Sequence, residues 1–227
     1  GPSAWIFSLL TFFVAIPTSI KVFNWLATLY KGSIDIEVPL LYALAFIFNF
    51  LIGGLTGLVV GALAADVHLH DTYFVVGHFH YVMLGGTGFA FIGGLHYWFP
   101  KMWGKMYNKA VAKLAFAIIF IGLNILYFPM LILGVMGMPR RYYDYLPEFH
   151  TLNQVSTVGS WIMVTGLIIM LVNLFIAHRK GKKAPDNPWN GITLEWQTKS
   201  PPPLYNFDKM PKLAKGGPYN YPNAKNS

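Results

Sequence analysis

Long apolar runs separated by short polar stretches fill the first 180 positions of the chain. Most run for about 20 residues or more, the length with which an α-helix crosses roughly 30 Å of hydrocarbon. The pattern predicts five membrane-spanning helices, at about 4–29, 40–63, 71–99, 110–135 and 155–177. We therefore expect residues 1–177 to form an all-α, polytopic transmembrane helix bundle.

The remaining segment, 178–227, is polar and Pro-rich, and it shows no helical periodicity. Such a segment is more typical of an extended strap on other protein surfaces than of a domain. Cytoplasmic or matrix-side loops carry an excess of basic residues. This bias places the following basic residues, and with them the tail, on the inner side: Lys31; Lys101, Lys105, Lys109 and Lys113; Arg179, Lys180, Lys182 and Lys183.

Composition supports a membrane protein and limits which residues could bind a metal. Of the 227 residues, 55% are hydrophobic and only 11% charged, whereas soluble domains carry about 25% charged residues. There are no cysteines, so histidines and carboxylates are the candidate metal ligands. The basic residues behind the net charge of +8 lie in loops and the tail. This placement reflects the orientation of the chain in the membrane rather than a nucleic-acid partner. The chain begins GPSAWIF without an initiator Met, which suggests a fragment or one part of a split subunit.

The stretch HDTYFVVGHFHYV, residues 70–82, places three histidines and an aspartate in otherwise apolar sequence. His78 and His80 are two positions apart, and two steps along an α-helix turn the chain by about 200°. Their rings should therefore leave opposite faces, where they could hold two cofactors side by side. Neutral imidazole is a usual axial haem ligand. For either histidine alone, an interhelical hydrogen bond is an equal alternative.

His70 and Asp71 precede His78 by about 12 Å of helix, at about 1.5 Å per residue, near the outer interface. Their nitrogen and oxygen atoms suit a divalent ion; Asp71 could equally be a helix-capping carboxylate. Arg140 and Arg141 lie on the same outer side, where basic residues are unexpected. They need a local anionic partner, and haem propionates would provide one. An ordinary pair of loop charges is the alternative.

Lys21 lies deep in the first predicted helix, far from both of its ends. A buried ammonium is costly, so Lys21 should pair with an anion or take part in a proton path with Thr18 and water, while snorkelling is the weaker explanation. His96, beside Tyr97 and Trp98, is expected at the membrane interface.

The stretch LHDTYFVVGHFHYV closely resembles the signature of subunit I of haem-copper oxidases. Other segments resemble that subunit in the same order: AIPTSIKVFNWLATL, GGLTGLVV, GMPRRYYDY and LEWQTKSPPPLYNF. The resemblance covers nearly all of the chain. It implies a twelve-helix subunit, of which this sequence would be the last five helices and the tail, in a bacterial plasma membrane or mitochondrial inner membrane.

The resemblance also implies roles for individual residues. His78 would ligate the high-spin haem of the oxygen site, and His80 one axial position of the low-spin haem. Arg140 and Arg141 would bind the haem propionates, with Asp66 close to them.

Two further sites follow from the same resemblance. His70 and Asp71 would hold a Mg or Mn ion, and Thr18 and Lys21 would belong to a proton path.

Gly77 stands where the family usually has Ala, a change expected to be tolerated. The histidine ligands of copper, the tyrosine cross-linked to one of them and the second axial ligand of the low-spin haem would lie upstream of Gly1.

The implied function is reduction of O₂ to water with electrons from cytochrome c, coupled to proton translocation. The partners would be a copper-bearing subunit II, other oxidase subunits, the N-terminal remainder of subunit I, cytochrome c and membrane lipid. Quinol oxidation within the same superfamily is the nearest alternative; retention of Asp71 favours cytochrome c modestly. A two-haem b-type electron-transfer protein and a proton-carrying transporter are rivals from other classes.

Overall fold

The computed structural model describes residues 2–207 and confirms an all-α membrane architecture. Five helices are long and apolar enough to cross a membrane. The elements before the third crossing are α1 (Pro2–Leu29), α2 (Val38–Gly61) and the short α3 (Leu63–Leu69). The third crossing consists of α4 (Tyr73–His80), a π-helical segment (Tyr81–Gly88) and α5 (Phe89–Trp103); α6 (Lys109–Val135) and α7 (His150–Lys180) follow.

The predicted limits of the first, second and fourth helices lie within two residues of these bounds. The third crossing was predicted to end at residue 99 but continues through Pro100 to Trp103, and the last helix also differs. A 3₁₀ turn, Pro147–Phe149, leads into α7, which begins before the predicted residue 155 and continues past 177 to Lys180. A prediction based on apolar runs missed the first turn because that turn is polar. A side-chain hydrogen bond is present there, in which Asn153 Nδ2 donates to Phe149 O at 2.9 Å. A two-stranded antiparallel pair, β1 (Lys105–Met106) with β2 (Lys182–Lys183), was also not predicted.

Small residues bring α6 and α7 close together. Gly122 faces the backbone of Met163, and Gly159 faces that of Leu126. Between membrane helices, where lipid is as apolar as the side chains, such close backbone approach drives association. By contrast, α1 packs on α2 and α3, with none of its most apolar window buried within the described chain.

A buried polar network joins the π-helical segment to two neighbouring helices. Tyr81 Oη donates to Asn124 Oδ1 at 3.0 Å, and Asn124 Nδ2 lies 3.4 Å from Asn49 Oδ1. Asn49 is fully buried, and its Nδ2 has no hydrogen-bond partner among the described residues. The network therefore connects α2, the π-helical segment and α6 in the middle of the bundle.

The first part of the tail packs on this chain's own helices, at the C-terminal end of α5. Lys101 Nζ donates to the carbonyl oxygens of Asp186, Thr198 and Lys199 at 3.1, 2.7 and 3.3 Å. The same ammonium lies 5.0 Å from the ring centroid of Trp196. That the tail also covers other proteins stays a prediction, and residues 208–227 lie outside the described range.

His96 is fully buried within the protein, because the ring of Tyr42 stacks on it at 5.2 Å and Tyr107 covers its edge at 4.9 Å. Its position at the membrane interface stays a prediction. Both covering residues come from outside the helix that carries His96. Neighbouring residues in the sequence therefore gave no sign of this burial.

Candidate functional site

His78 projects from α4 towards α2. Its Nδ1 lies 3.0 Å from the carbonyl oxygen of Gly53 and 3.1 Å from Thr56 Oγ1. A carbonyl oxygen only accepts hydrogen bonds, so Nδ1 carries the proton and Nε2 keeps its lone pair. Gly57 lies directly against the ring: a Cβ there would be 3.0 Å from His78 Cε1. α2 therefore fixes both the tautomer and the position of this imidazole.

His80 projects towards α6 instead. Its Nδ1 donates to Val76 O at 2.8 Å, one turn earlier on the same helix, which again leaves Nε2 with a free lone pair. Its ring stacks on Tyr127, with centroids 4.4 Å apart and 14° between the planes, and also contacts Phe79 at 4.3 Å. The two histidines thus face different helices, as the spacing predicted.

This donor set fits two axial haem ligands. Each histidine presents an unprotonated Nε2, and the proton on each Nδ1 is held by a backbone carbonyl, the usual support of a ligating imidazole. Both side chains are half-buried, and that of His80 lies between the aromatic rings of Phe79 and Tyr127. The π-helical segment begins directly after His80, and such segments are frequent at functional sites.

The loop before α4 and the loop after α6, both predicted to face outward, form a second cluster around Asp71. Arg140 Nε donates to Asp71 Oδ1 at 2.7 Å, and the backbone N–H of Arg140 donates to Asp71 O at 2.9 Å. Tyr73 N–H donates to Met138 O at 2.9 Å, which joins the loop after α6 to the start of α4. The anionic partner expected for Arg140 is therefore found within this chain. Hydrogen bonding from Arg140, together with its charge, holds the pKa of Asp71 below its ordinary value.

His70 lies between the two outer carboxylates. Its Nε2 is 3.6 Å from Asp71 Oδ2, and its Nδ1 is 3.9 Å from Asp66 Oδ1. Atoms at the first distance could share a divalent ion whose bonds are about 2.0–2.2 Å long. Among residues 2–207, however, no group of three or more His, Asp or Glu side chains is arranged to hold a metal. The Mg or Mn site at His70 and Asp71 stays a prediction.

Arg141 adopts a left-handed backbone conformation, with φ of 62°. This region is uncommon for residues other than Gly, Asn and Asp. In the outer cluster, its charge acts with those of Arg140 and His70 to lower the pKa of Asp71.

Lys21 and Thr18 lie on α1, away from the histidine pair. Thr18 Oγ1 donates to Val14 O at 2.8 Å within its own helix. Lys21 is exposed, and its ammonium makes no hydrogen bond or ion pair within the described chain. An enclosed ammonium was expected, but within residues 2–207 α1 packs mainly on α2 and α3, which leave Lys21 uncovered. Its part in a proton path stays a prediction.

Sequence reasoning missed three residues that support His78: Gly53, Thr56 and Gly57 on α2. The segment GGLTGLVV that contains them was noted only as part of the family resemblance. The available signal was the pair of glycines flanking a threonine, which allows an aromatic ring to approach the α2 backbone closely.

Comparison with known proteins shows the family of this chain. Residues 2–162 match the family described as cytochrome C and Quinol oxidase polypeptide I. Cytochrome c oxidase subunit 1 of Synechocystis sp. is 46% identical over 97% of this chain and 40% of its own length. Quinol oxidase subunit 1 of Bacillus subtilis is also 46% identical, over 91% of this chain and 33% of its own length.

A solved structure shows the same arrangement of helices. A heme-copper terminal oxidase dimer determined by cryo-electron microscopy matches 82% of this chain and 38% of its own chain, with a TM-score of 0.72 and 26% identity. The chain thus spans about two fifths or less of these relatives. It belongs to the cytochrome c and quinol oxidase polypeptide I family, the haem-copper oxidase subunit I family.

Proposed function

We propose that this chain is the C-terminal part of the catalytic subunit of a respiratory oxidase. The complete enzyme reduces O₂ to water with electrons from cytochrome c and translocates protons. The observation that carries the proposal is the histidine pair. His78 and His80 lie on one helix, face different neighbours and each keep a free Nε2. Two haems held on opposite faces of one helical turn would be close enough for rapid electron exchange.

Within this proposal, His78 ligates the high-spin haem and His80 the low-spin haem. When bound, the haems supply electron transfer and the site of oxygen reduction. Arg140 and Arg141 neutralise propionates on the outer side, next to Asp66. The chain's own contribution is to hold the two imidazoles in fixed tautomers and to exclude water around them.

The proposal also includes a metal site, a proton path and partner subunits. His70 and Asp71 bind Mg or Mn at the outer surface, while Lys21 and Thr18 carry protons from the inner side. Copper, a copper-bearing subunit II and the N-terminal remainder of subunit I provide the rest of the machinery. Lipid surrounds the complex, in a bacterial plasma membrane or a mitochondrial inner membrane.

Quinol is the second candidate electron donor, because a quinol oxidase relative is as similar as the cytochrome c oxidase relative. Steady-state oxygen consumption by the purified complex separates the two. We expect turnover with reduced cytochrome c and little with a soluble quinol. The reverse preference would assign the chain to the quinol branch.

The haem assignment is tested by His78→Ala in the intact complex, with His150→Ala as a control. His150 is exposed at the start of α7 and has no proposed ligand role. Reduced-minus-oxidised and carbon-monoxide difference spectra count the haems. We expect His78→Ala to lose the carbon-monoxide-reactive haem and keep the other, with both retained in the control. Two haems in His78→Ala would contradict the assignment, and two wild-type haems that ignore carbon monoxide would favour an electron-transfer cytochrome.

A further inference from the structure

Three buried polar atoms that have no hydrogen-bond partner among residues 2–207 lie at the inner ends of α2, α5 and α6. They are Glu37 Oε2, His96 Nε2 and Tyr107 Oη. His96 is fully buried and Tyr107 is only 4% exposed. Neither of the two atoms on these rings forms a hydrogen bond within the described chain. A buried polar group that lacks a partner costs free energy, so three of them in one region call for an explanation.

Ring contacts place His96 and Tyr107 in one cluster with Tyr42, and Glu37 joins it through its ion pair with Lys109, two residues after Tyr107. His96 stacks on Tyr42, with ring centroids 5.2 Å apart, and meets the ring of Tyr107 edge-on at 4.9 Å. The charge of Glu37 acts on Tyr107. Burial is the larger cause that raises the pKa of the phenol, and the carboxylate of Glu37 raises it further. Tyr107 therefore remains a protonated O–H donor, with a carboxylate nearby.

The hydrogen-bonding capacities of the three atoms are complementary. His96 Nδ1 donates to Ile92 O at 2.9 Å, so Nε2 is an acceptor. Glu37 Oε1 is paired with Lys109 Nζ at 2.5 Å, which leaves Oε2 as a second acceptor. Tyr107 Oη can donate. One donor and two acceptors match a molecule that accepts one hydrogen bond and donates two.

We propose that Glu37, His96 and Tyr107 form an internal water site. A water molecule, or a short row of them, accepts from Tyr107 Oη and donates to His96 Nε2 and Glu37 Oε2. Buried waters commonly make about three such hydrogen bonds to polar groups that otherwise have none. The water would connect Glu37, at the start of α2, with His96 inside the third crossing. It is separate from the histidine pair and does not depend on the proposed function.

High-resolution cryo-electron microscopy of the intact complex tests the site directly. We expect density for water within hydrogen-bond distance of Tyr107 Oη and His96 Nε2. Infrared spectra should show an O–H stretching band that shifts when the solvent is exchanged for ¹⁸O-labelled water. A dry cluster, with no such density, would overturn the proposal. Because the wild-type density decides it, the test survives even if a variant fails to assemble.

Tyr107→Phe provides the second test, because it removes the donor but keeps the ring that packs on His96. In a hydrated site it should abolish the water density and the infrared band and lower the thermal midpoint. In a dry site it would remove an unsatisfied hydroxyl and leave the midpoint unchanged or higher, which would refute the water. The control is Tyr81→Phe, whose hydroxyl donates directly to Asn124; it should keep both the density and the band.

Discussion

Gly57→Ala should disturb His78 although Gly57 has no chemical role. The new Cβ would lie 3.0 Å from His78 Cε1 and 3.7 Å from Nδ1. Optimal carbon–carbon contacts are about 3.5–4.0 Å, so the imidazole must move by roughly 0.5 Å or α2 must retreat. Either response lengthens the hydrogen bond from His78 Nδ1 to Gly53 O, which is 3.0 Å long in the wild-type chain.

The net effect can be estimated by comparison with Gly54→Ala. Both substitutions gain about 0.5–1 kcal/mol from replacing Gly within a helix. A methyl group on Gly54 would have no described atom within 4 Å of it, so this variant should be neutral or slightly stabilised. Overpacking at Gly57 costs about 1–3 kcal/mol, which leaves a net destabilisation of about 0–2.5 kcal/mol, with a midpoint of about 1 kcal/mol.

Thermal denaturation and carbon-monoxide difference spectra of the intact complex measure the outcome. Gly57→Ala should lower the thermal midpoint and shift or weaken the carbon-monoxide-reactive signal. Gly54→Ala should preserve both. If the two variants behave alike, the close approach between α2 and His78 does not constrain the imidazole, and the reasoning fails.

Three further predictions concern other parts of the molecule. Lys101→Met removes three hydrogen bonds to tail carbonyls, so hydrogen exchange around Trp196 should accelerate; unchanged exchange would show that the tail docks without it. Lys21→Met should slow reduction of the oxygen site more than it alters haem content, and unchanged stopped-flow kinetics would make Lys21 structural. Asn124→Leu leaves the Tyr81 hydroxyl unpaired and should cost about 1–3 kcal/mol, measured as a lower thermal midpoint; an unaltered midpoint would mean that the hydroxyl finds another partner.

The sequence was sufficient to predict the helices because crossing a membrane demands long apolar runs. It also predicted that His78 and His80 face apart, since the helical repeat alone determines that angle. Both predictions depend on local pattern and on no contact between distant segments.

Features that depend on packing between distant segments could not be predicted. The burial of His96 depends on Tyr42 and Tyr107, which belong to other elements. An anionic partner was expected for Arg140, but its identity as Asp71 follows only from the pairing of two outer loops. Gly77 was considered only as a small residue, yet a methyl group there would lie 2.8 Å from Leu131 Cδ2.

The two histidines are attached to the bundle in mechanically different ways. His80 is tied to Val76 on its own helix, whereas His78 is tied to Gly53 across the gap to α2. Sliding or tilting of α2 against α4 would therefore rotate the ring of His78 and leave that of His80 undisturbed. Strain arriving through α2 would reach one imidazole selectively, so the orientations of the two rings can be tuned separately although the same helix carries both.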